Sequence, residues 1–308
     1  MGGKLVVFKV SSKNSFLFSI ILTTIFMGSS FPTGKYLISI NRAPPFLIGS
    51  WRFIIAGLLM LVFTILTKGI SEIIPRSKGS IKKGILLVIS IGLLQTAGTM
   101  GFLNLSMAKG LSSSMSSIIL FTNPLWLALF AHFLLNDRLN KWKILSLILG
   151  LLGVILCLGV DKSAISIGSF IALLGSICWA INTVITKKIP FDKGSWVFTG
   201  WQLLIGGIAM YLVSLALQET YNFALINAVG WFCFVWLVLP ASIGSFGLWF
   251  YSLKQGGATV ASSFLFLVPL FSTIFSVIGL HDHFTLSVVV GGLLVITSLI
   301  LVNKSSNI

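Results

Sequence analysis

Acidic side chains are nearly missing from this chain. Six carboxylates serve 308 residues: Glu72, Asp137, Asp161, Asp192, Glu219 and Asp282. Charged residues of both signs reach only 9%, hydrophobic residues make up 56%, and the mean hydropathy is +1.05. Water-soluble domains carry about a quarter charged residues, so that class is excluded. Cysteine is equally scarce. Cys157, Cys178 and Cys233 stand singly in apolar runs with no CxxC pair, which reads as three small hydrophobes and neither a disulfide framework nor a thiolate metal site. His281-Asp282-His283 is the densest set of ligand-type residues, but three consecutive residues do not converge easily on one ion and no further ligand is evident, so no metal or cofactor is expected. No nucleophile accompanies Asp137 and His132, which makes a membrane-embedded enzyme a thin alternative and leaves no catalytic residue to name.

Long apolar runs are what the chain does have. Ten of them suit a hydrocarbon core about 30 Å thick, which needs about 20 residues per helix. They cover about 16–38, 46–67, 83–106, 112–135, 142–160, 165–187, 196–217, 230–253, 258–280 and 285–302. The net charge of +15 comes in short basic clusters between these runs, a pattern of membrane topology and not of a nucleic-acid-binding face. With the N-terminus inside, sixteen of the 21 lysines and arginines fall on inner segments and only Arg42, Lys109 and Lys162 on outer ones. That bias predicts cytoplasmic termini.

The second half of the sequence repeats the first. Ser106 to Leu156 and Ser252 to Leu301 share an order of parts: a small polar turn around Lys109-Gly110 or Gln255-Gly256-Gly257, a serine-rich helix start, a mid-span proline, an acidic loop and a closing apolar run. Laying Pro124 on Pro269 also lays Asp137 on Asp282. Trp51, Gly57 and Met60 recur as Trp201, Gly207 and Met210, and Lys35 follows Met27 by the spacing at which Lys187 follows Trp179. Five spans is an odd number, so the halves, 1–160 and 161–308, are predicted to be inverted relative to one another. The expected fold is therefore an all-α membrane protein of ten helices in a 5+5 inverted repeat. Inverted repeats mark secondary transporters, whose sites lie near the midplane where the repeats meet.

These features resemble the drug/metabolite transporter superfamily, EamA family: ten spans, two similar halves, Arg52-Phe53 in the second span and two proline-centred helices. The resemblance covers essentially the whole chain. Asp137 and Asp282 hold positions after the fourth and ninth spans where the family commonly has an acid. Met27 stands where the family has a tryptophan in the first span, while Trp179 keeps the counterpart in the sixth. The resemblance implies export of amino acids or other small metabolites. It also brings in the small multidrug pumps, whose membrane-embedded glutamate has no counterpart here. No acid lies inside any predicted span, which disfavours proton-coupled export of cations.

Candidate site residues follow from polarity at membrane depth. Pro124 and Pro269 each remove an N–H and crowd a carbonyl one turn back, so they are expected to break or bend their helices and to act as gating points; a packing kink is the alternative. Asn123 adds an amide beside the first break. Gln95 and Ser242 lie mid-span at near-equivalent repeat positions, and are read as substrate contacts or as bridges between helices. Asn182 and Gln202 lean towards bridging. Trp179 and Trp249 are the aromatic candidates for a cavity wall. Arg52 and Lys35 either snorkel to the interface or place charge in an outer vestibule. His132, at the inner end of the fourth span, is read as a surface-facing or helix-capping residue, with a proton-linked role as the alternative. The expected partners are the bilayer and a small neutral or zwitterionic metabolite, carried across a bacterial cytoplasmic membrane. A lipid or polyprenyl-phosphate flippase is the alternative.

Overall fold

The protein, seen in a computed structural model, is described over residues 10–135, 141–158, 166–265, 267–281 and 286–305. Asp137, Asp161, Asp282 and His283 lie outside the described residues. Numbered by the predicted segment each fills, the first helix is Val10–Ser39 and the second Pro45–Lys68. The third runs over Ile81–Ala108, and the fourth is divided into Ser113–Leu120 and Asn123–Leu135. Lys141–Leu158, Ile167–Lys188 and Ser195–Ala216 are the fifth to seventh. The eighth begins at Ala228, the ninth is Leu267–Leu280 and the tenth Leu286–Ser305. Among the described residues there is no strand, and seven helical stretches are long and apolar enough to cross a membrane. Leu267–Leu280 and Val289–Ser298 are shorter apolar helices.

Helix starts are fixed by small polar caps. Ser112 accepts from Met115 N at 3.2 Å, Ser166 from Ser169 N at 3.3 Å and Asn227 from Gly230 N at 2.7 Å, each holding an otherwise orphaned donor. One expectation needs correction. The turn predicted at Gln255-Gly256-Gly257 lies inside a helix, Ser245–Phe264, and the break falls at Leu265. A glycine weakens a helix by about 1 kcal/mol against alanine without forbidding it, and no proline interrupts this stretch.

The second helix meets the seventh with close backbone approach. A methyl group on Gly57 would sit 2.7 Å from Gly200 O and 2.6 Å from Leu204 N. One on Gly207 would sit 3.1 Å from Ser50 O and 2.8 Å from Ile54 N. The two contact sets map onto each other: residues 57, 50 and 54 correspond to 207, 200 and 204. Met60 and Met210, completing the repeated motif, are both fully buried. Lipid offers no hydrophobic drive between helices, so small residues that admit close backbone packing decide which helices associate. The fifth helix packs on the tenth and the fourth on the ninth. The first helix lies against the eighth and ninth, just as the sixth lies against the third and fourth. Leu66, Phe18, Phe133 and Ile278 remain exposed, as side chains facing acyl chains must.

Loops join in two clasps at opposite ends of the second and seventh helices. At one end Asp192 accepts from Lys78 N at 3.0 Å and Gly79 N at 2.7 Å, and Ser77 donates to Pro190 O at 2.7 Å. Lys193 pairs with Glu72 at 3.0 Å alongside. At the other end Glu219 accepts from Leu47 N at 2.8 Å, while the Tyr221 hydroxyl donates to Asn41 O at 2.6 Å. All three described carboxylates therefore serve loop contacts between the halves.

Candidate functional site

Two helices lose regularity at interior polar positions. The third helix widens to π geometry over Gly92–Met100, and the eighth does so over Leu239–Gly244. Pro240 explains the second case, since its ring cannot sit under an ordinary α-helical carbonyl. In the first, Gly92 packs against Gly206 of the seventh helix: a methyl group on Gly206 would lie 2.5 Å from Gly92 O. In each widened turn a hydroxyl reaches back five residues. Thr99 donates to Leu94 O at 3.1 Å, and Ser242 to Leu237 O at 2.8 Å. Single π turns recur at functional sites because they re-aim side chains and expose backbone groups.

Gln95 and Ser242 sit within these two segments but have different partners. Gln95 Oε1 accepts from Asn182 Nδ2 of the sixth helix at 2.9 Å. The Asn182 Oδ1 and the Thr96 hydroxyl are buried there with no hydrogen bond among the described residues. Ser242 accepts instead from Arg52 Nε at 3.1 Å, and the Arg52 guanidinium lies 4.7 Å from the centre of the Phe53 ring. Arg52 thus points into the bundle towards the eighth helix rather than out to the interface. Its two terminal nitrogens hydrogen-bond to no described residue. Donating to Leu237 O uses the only Ser242 hydrogen, which leaves the oxygen lone pairs for the arginine.

Lys35 takes another role. Its ammonium donates to Met107 O at 2.7 Å and Leu111 O at 2.8 Å, carbonyls at the C-terminal end of the third helix, where a cation is favoured.

Both predicted prolines stand in the first turn of a new helix, where an N–H would have no intrahelical acceptor in any case. The carbonyl four residues earlier is the one deprived of its donor. For Pro124 that is Leu120 O, and the buried Ser176 hydroxyl of the sixth helix donates to it at 3.1 Å. For Pro269 it is Leu265 O, which accepts locally from Val268 N at 3.0 Å. Asn123 is 7% exposed, and its side chain hydrogen-bonds to no described residue. Trp179 stands edge-on to Phe121 at 5.5 Å, and Phe121 lies 6.4 Å from Phe31, so an aromatic wall flanks the break. Trp249 belongs elsewhere, packed with Phe16, Ile20 and Phe264 near the start of the first helix. His132 meets Phe133 edge-on at 5.1 Å.

Sequence reasoning passed over Pro240, Ser176 and the bond from Trp236 Nε1 to Ser29 at 2.8 Å, which ties the eighth helix to the first. Pro240 was visible as a mid-span proline two residues before Ser242. The serine and the tryptophan carried no local signal, because their partners are more than fifty residues away.

Two stretches of the chain, 14–159 and 166–304, match the EamA-like transporter family. The chain belongs to that family. It is 27% identical over 291 residues to the uncharacterized transporter YoaV of Bacillus subtilis, covering 91% of this chain and 93% of that one. The B. subtilis transporter YvbV is 29% identical over 92% of this chain and 89% of its own. A chloroplastic WAT1-related protein of Arabidopsis thaliana is 28% identical over 90% of this chain and 67% of its own. One solved crystal structure covers 97% of this chain and 98% of its own with a TM-score of 0.62 at 17% identity, a likeness of fold. Membership places the two π segments and two proline breaks in a family named for transport, and gives no role to any single residue.

Proposed function

We propose that this EamA-family chain is a secondary transporter for a small metabolite bearing a carboxylate, neutral or zwitterionic overall, such as an amino acid, working in the export direction at a bacterial cytoplasmic membrane. Its two halves act as inverted five-span units, and alternating access is their rocking about the contact between the second and seventh helices. The exchange of Gly57 with Gly207 contacts at that interface supports this symmetry. One observation carries the substrate class. The Arg52 guanidinium is anchored inside the bundle by Ser242 and has no carboxylate partner among the described residues. An arginine fork matches a carboxylate in geometry and charge. The Asn182 carbonyl oxygen, without a donor of its own, is an acceptor at the equivalent level of the other half. Pro124 and Pro269 supply the bending points, and Trp179 the apolar wall.

Lys35, tied to two carbonyls, does not join Arg52 in a basic pair, so the reading favours a single carboxylate over the phosphate of a flipped lipid. The test is flux into proteoliposomes. Labelled amino acids and their decarboxylated amines should separate: the acids are carried, the amines are not, and Arg52→Gln removes the preference. Equal flux of acid and amine through the wild-type protein would refute the arginine's assigned role.

A further inference from the structure

A cavity with a mostly apolar wall and two lysines at its edge lies away from this site. It has a volume of about 250 Å³ and sits where the start of the third helix meets the end of the sixth, on the clasp that Asp192 closes. Lys78, Lys83 and Ser90 line it together with Leu86, Leu87 and Ile189. Its shape is fixed by the clasp. Lys78 and Gly79 hold left-handed backbone conformations, φ 49° and 75°, and their N–H groups are both bound by Asp192. The Asp192 carboxylate is thereby occupied, and Lys193 takes Glu72. Neither Lys78 nor Lys83 forms an ion pair with a described carboxylate, so both ammonium groups are available to an anion at the cavity. Its apolar side is continuous with the outside of the bundle: Leu86 lines the cavity and is 66% exposed. Ile81, Ile85 and Ile89 extend one exposed stripe along the same helix, at the spacing of a single lipid-facing face.

A ligand that suits both parts has an anionic head and a hydrocarbon tail. We propose that this cavity binds the phosphate head of an anionic phospholipid, whose acyl chains lie along the Leu86 and Ile85–Ile89 surface. Basic pockets between helices at a membrane surface select such heads. The volume is below the roughly 300–1,000 Å³ of pockets that enclose whole small molecules, which fits a head whose tail stays outside. Lys78 and Lys83 recognise the phosphate, since the Ser90 hydroxyl is already donated to Leu86 O at 2.9 Å, and the apolar rim excludes a ligand that is only an anion.

Native mass spectrometry of the full detergent-purified chain tests this. It would be titrated with phosphatidylglycerol, with phosphatidylcholine and with water-soluble glycerol phosphate. Phosphatidylglycerol should bind at least about tenfold more tightly than either, and the double variant Lys78→Gln/Lys83→Gln should abolish that margin. Lys68→Gln/Lys141→Gln removes the same charge outside the cavity and should change binding by less than about twofold. Ser90→Leu fills the cavity without changing charge, and should weaken binding even if the lysine variant does not fold. Equal losses in the two lysine pairs would mean diffuse attraction to surface charge and would overturn the site. Glycerol phosphate binding as tightly as the lipid, or Ser90→Leu binding as the wild type does, would overturn it too.

Discussion

The two halves solve the same backbone problem with different partners. Each breaks a helix ahead of a proline, and each widens a helix to π geometry at a corresponding depth. In the first half the orphaned Leu120 carbonyl is taken by Ser176 from another helix, and Gln95 by the neutral amide of Asn182. In the second half Leu265 O is taken by its own neighbour, Val268 N, while Ser242 holds Arg52. The irregular backbone is common to both halves and the chemistry is not. Irregular backbone can recur at two places in one chain while only one of them holds a charged side chain.

The largest effect should come where the halves are most alike. Gly57→Val and Gly207→Val each push a branched side chain into the facing backbone and should destabilise by about 3 kcal/mol, the upper range for overpacking. Thermal unfolding in detergent should give matching losses, with Gly279→Ala as a harmless control since that site is open. Clearly unequal losses would break the symmetry.

Arg52→Gln comes next, because there the halves differ most. Losing a hydrogen bond from a charged group costs about 1.5–3 kcal/mol, so half-saturation should rise about tenfold to a hundredfold. Gln95→Leu, at the position corresponding to Ser242, should move half-saturation much less; a comparable rise would show the neutral pair of Gln95 and Asn182 to be an equal partner in binding.

Ser176→Ala should cost about 1–3 kcal/mol by leaving Leu120 O unsatisfied. In a Pro124→Ala background the restored N–H can serve that carbonyl, and the serine should become nearly neutral. Persistence of the full cost in the double variant would mean the hydroxyl matters for some other contact. Asn182→Leu should cost only about 0.6 kcal/mol, as interhelical polar bonds in membranes average.

The smallest effect concerns the Tyr221 clasp. Burial raises the Tyr221 hydroxyl above its usual pKa, favouring the protonated form in the folded state. Its contribution is fully present below the unfolded value, about pH 10, and is lost as pH rises through the folded value. Wild type should therefore lose stability relative to Tyr221→Phe in that alkaline window. Parallel pH curves for the two proteins would count against the bond from Tyr221 to Asn41.

Much of the candidate site was legible because the signals are local. Mid-span prolines, an arginine seven residues into an apolar run and amides at membrane depth need no partner to be noticed. Trp249 was misleading for the same reason: it shares a span with Ser242, but two helical turns, about 10 Å, carry it into another cluster. The turn at Gln255–Gly257 read as a loop because glycine pairs usually punctuate helices, whereas tertiary context can override a weak propensity.

By itself the sequence determined the membrane class, the internal repetition of motifs and the places where helices break at proline. Those follow from composition, periodicity and the missing N–H of proline, properties that each residue carries wherever it goes. Tertiary structure decided which group satisfies each freed carbonyl, that Lys35 closes a helix end while Arg52 turns inward, and that the three described carboxylates, Glu72, Asp192 and Glu219, hold loops together. Such outcomes depend on partners far apart in sequence, fixed only when Gly57 and Gly207 let the halves approach within backbone contact.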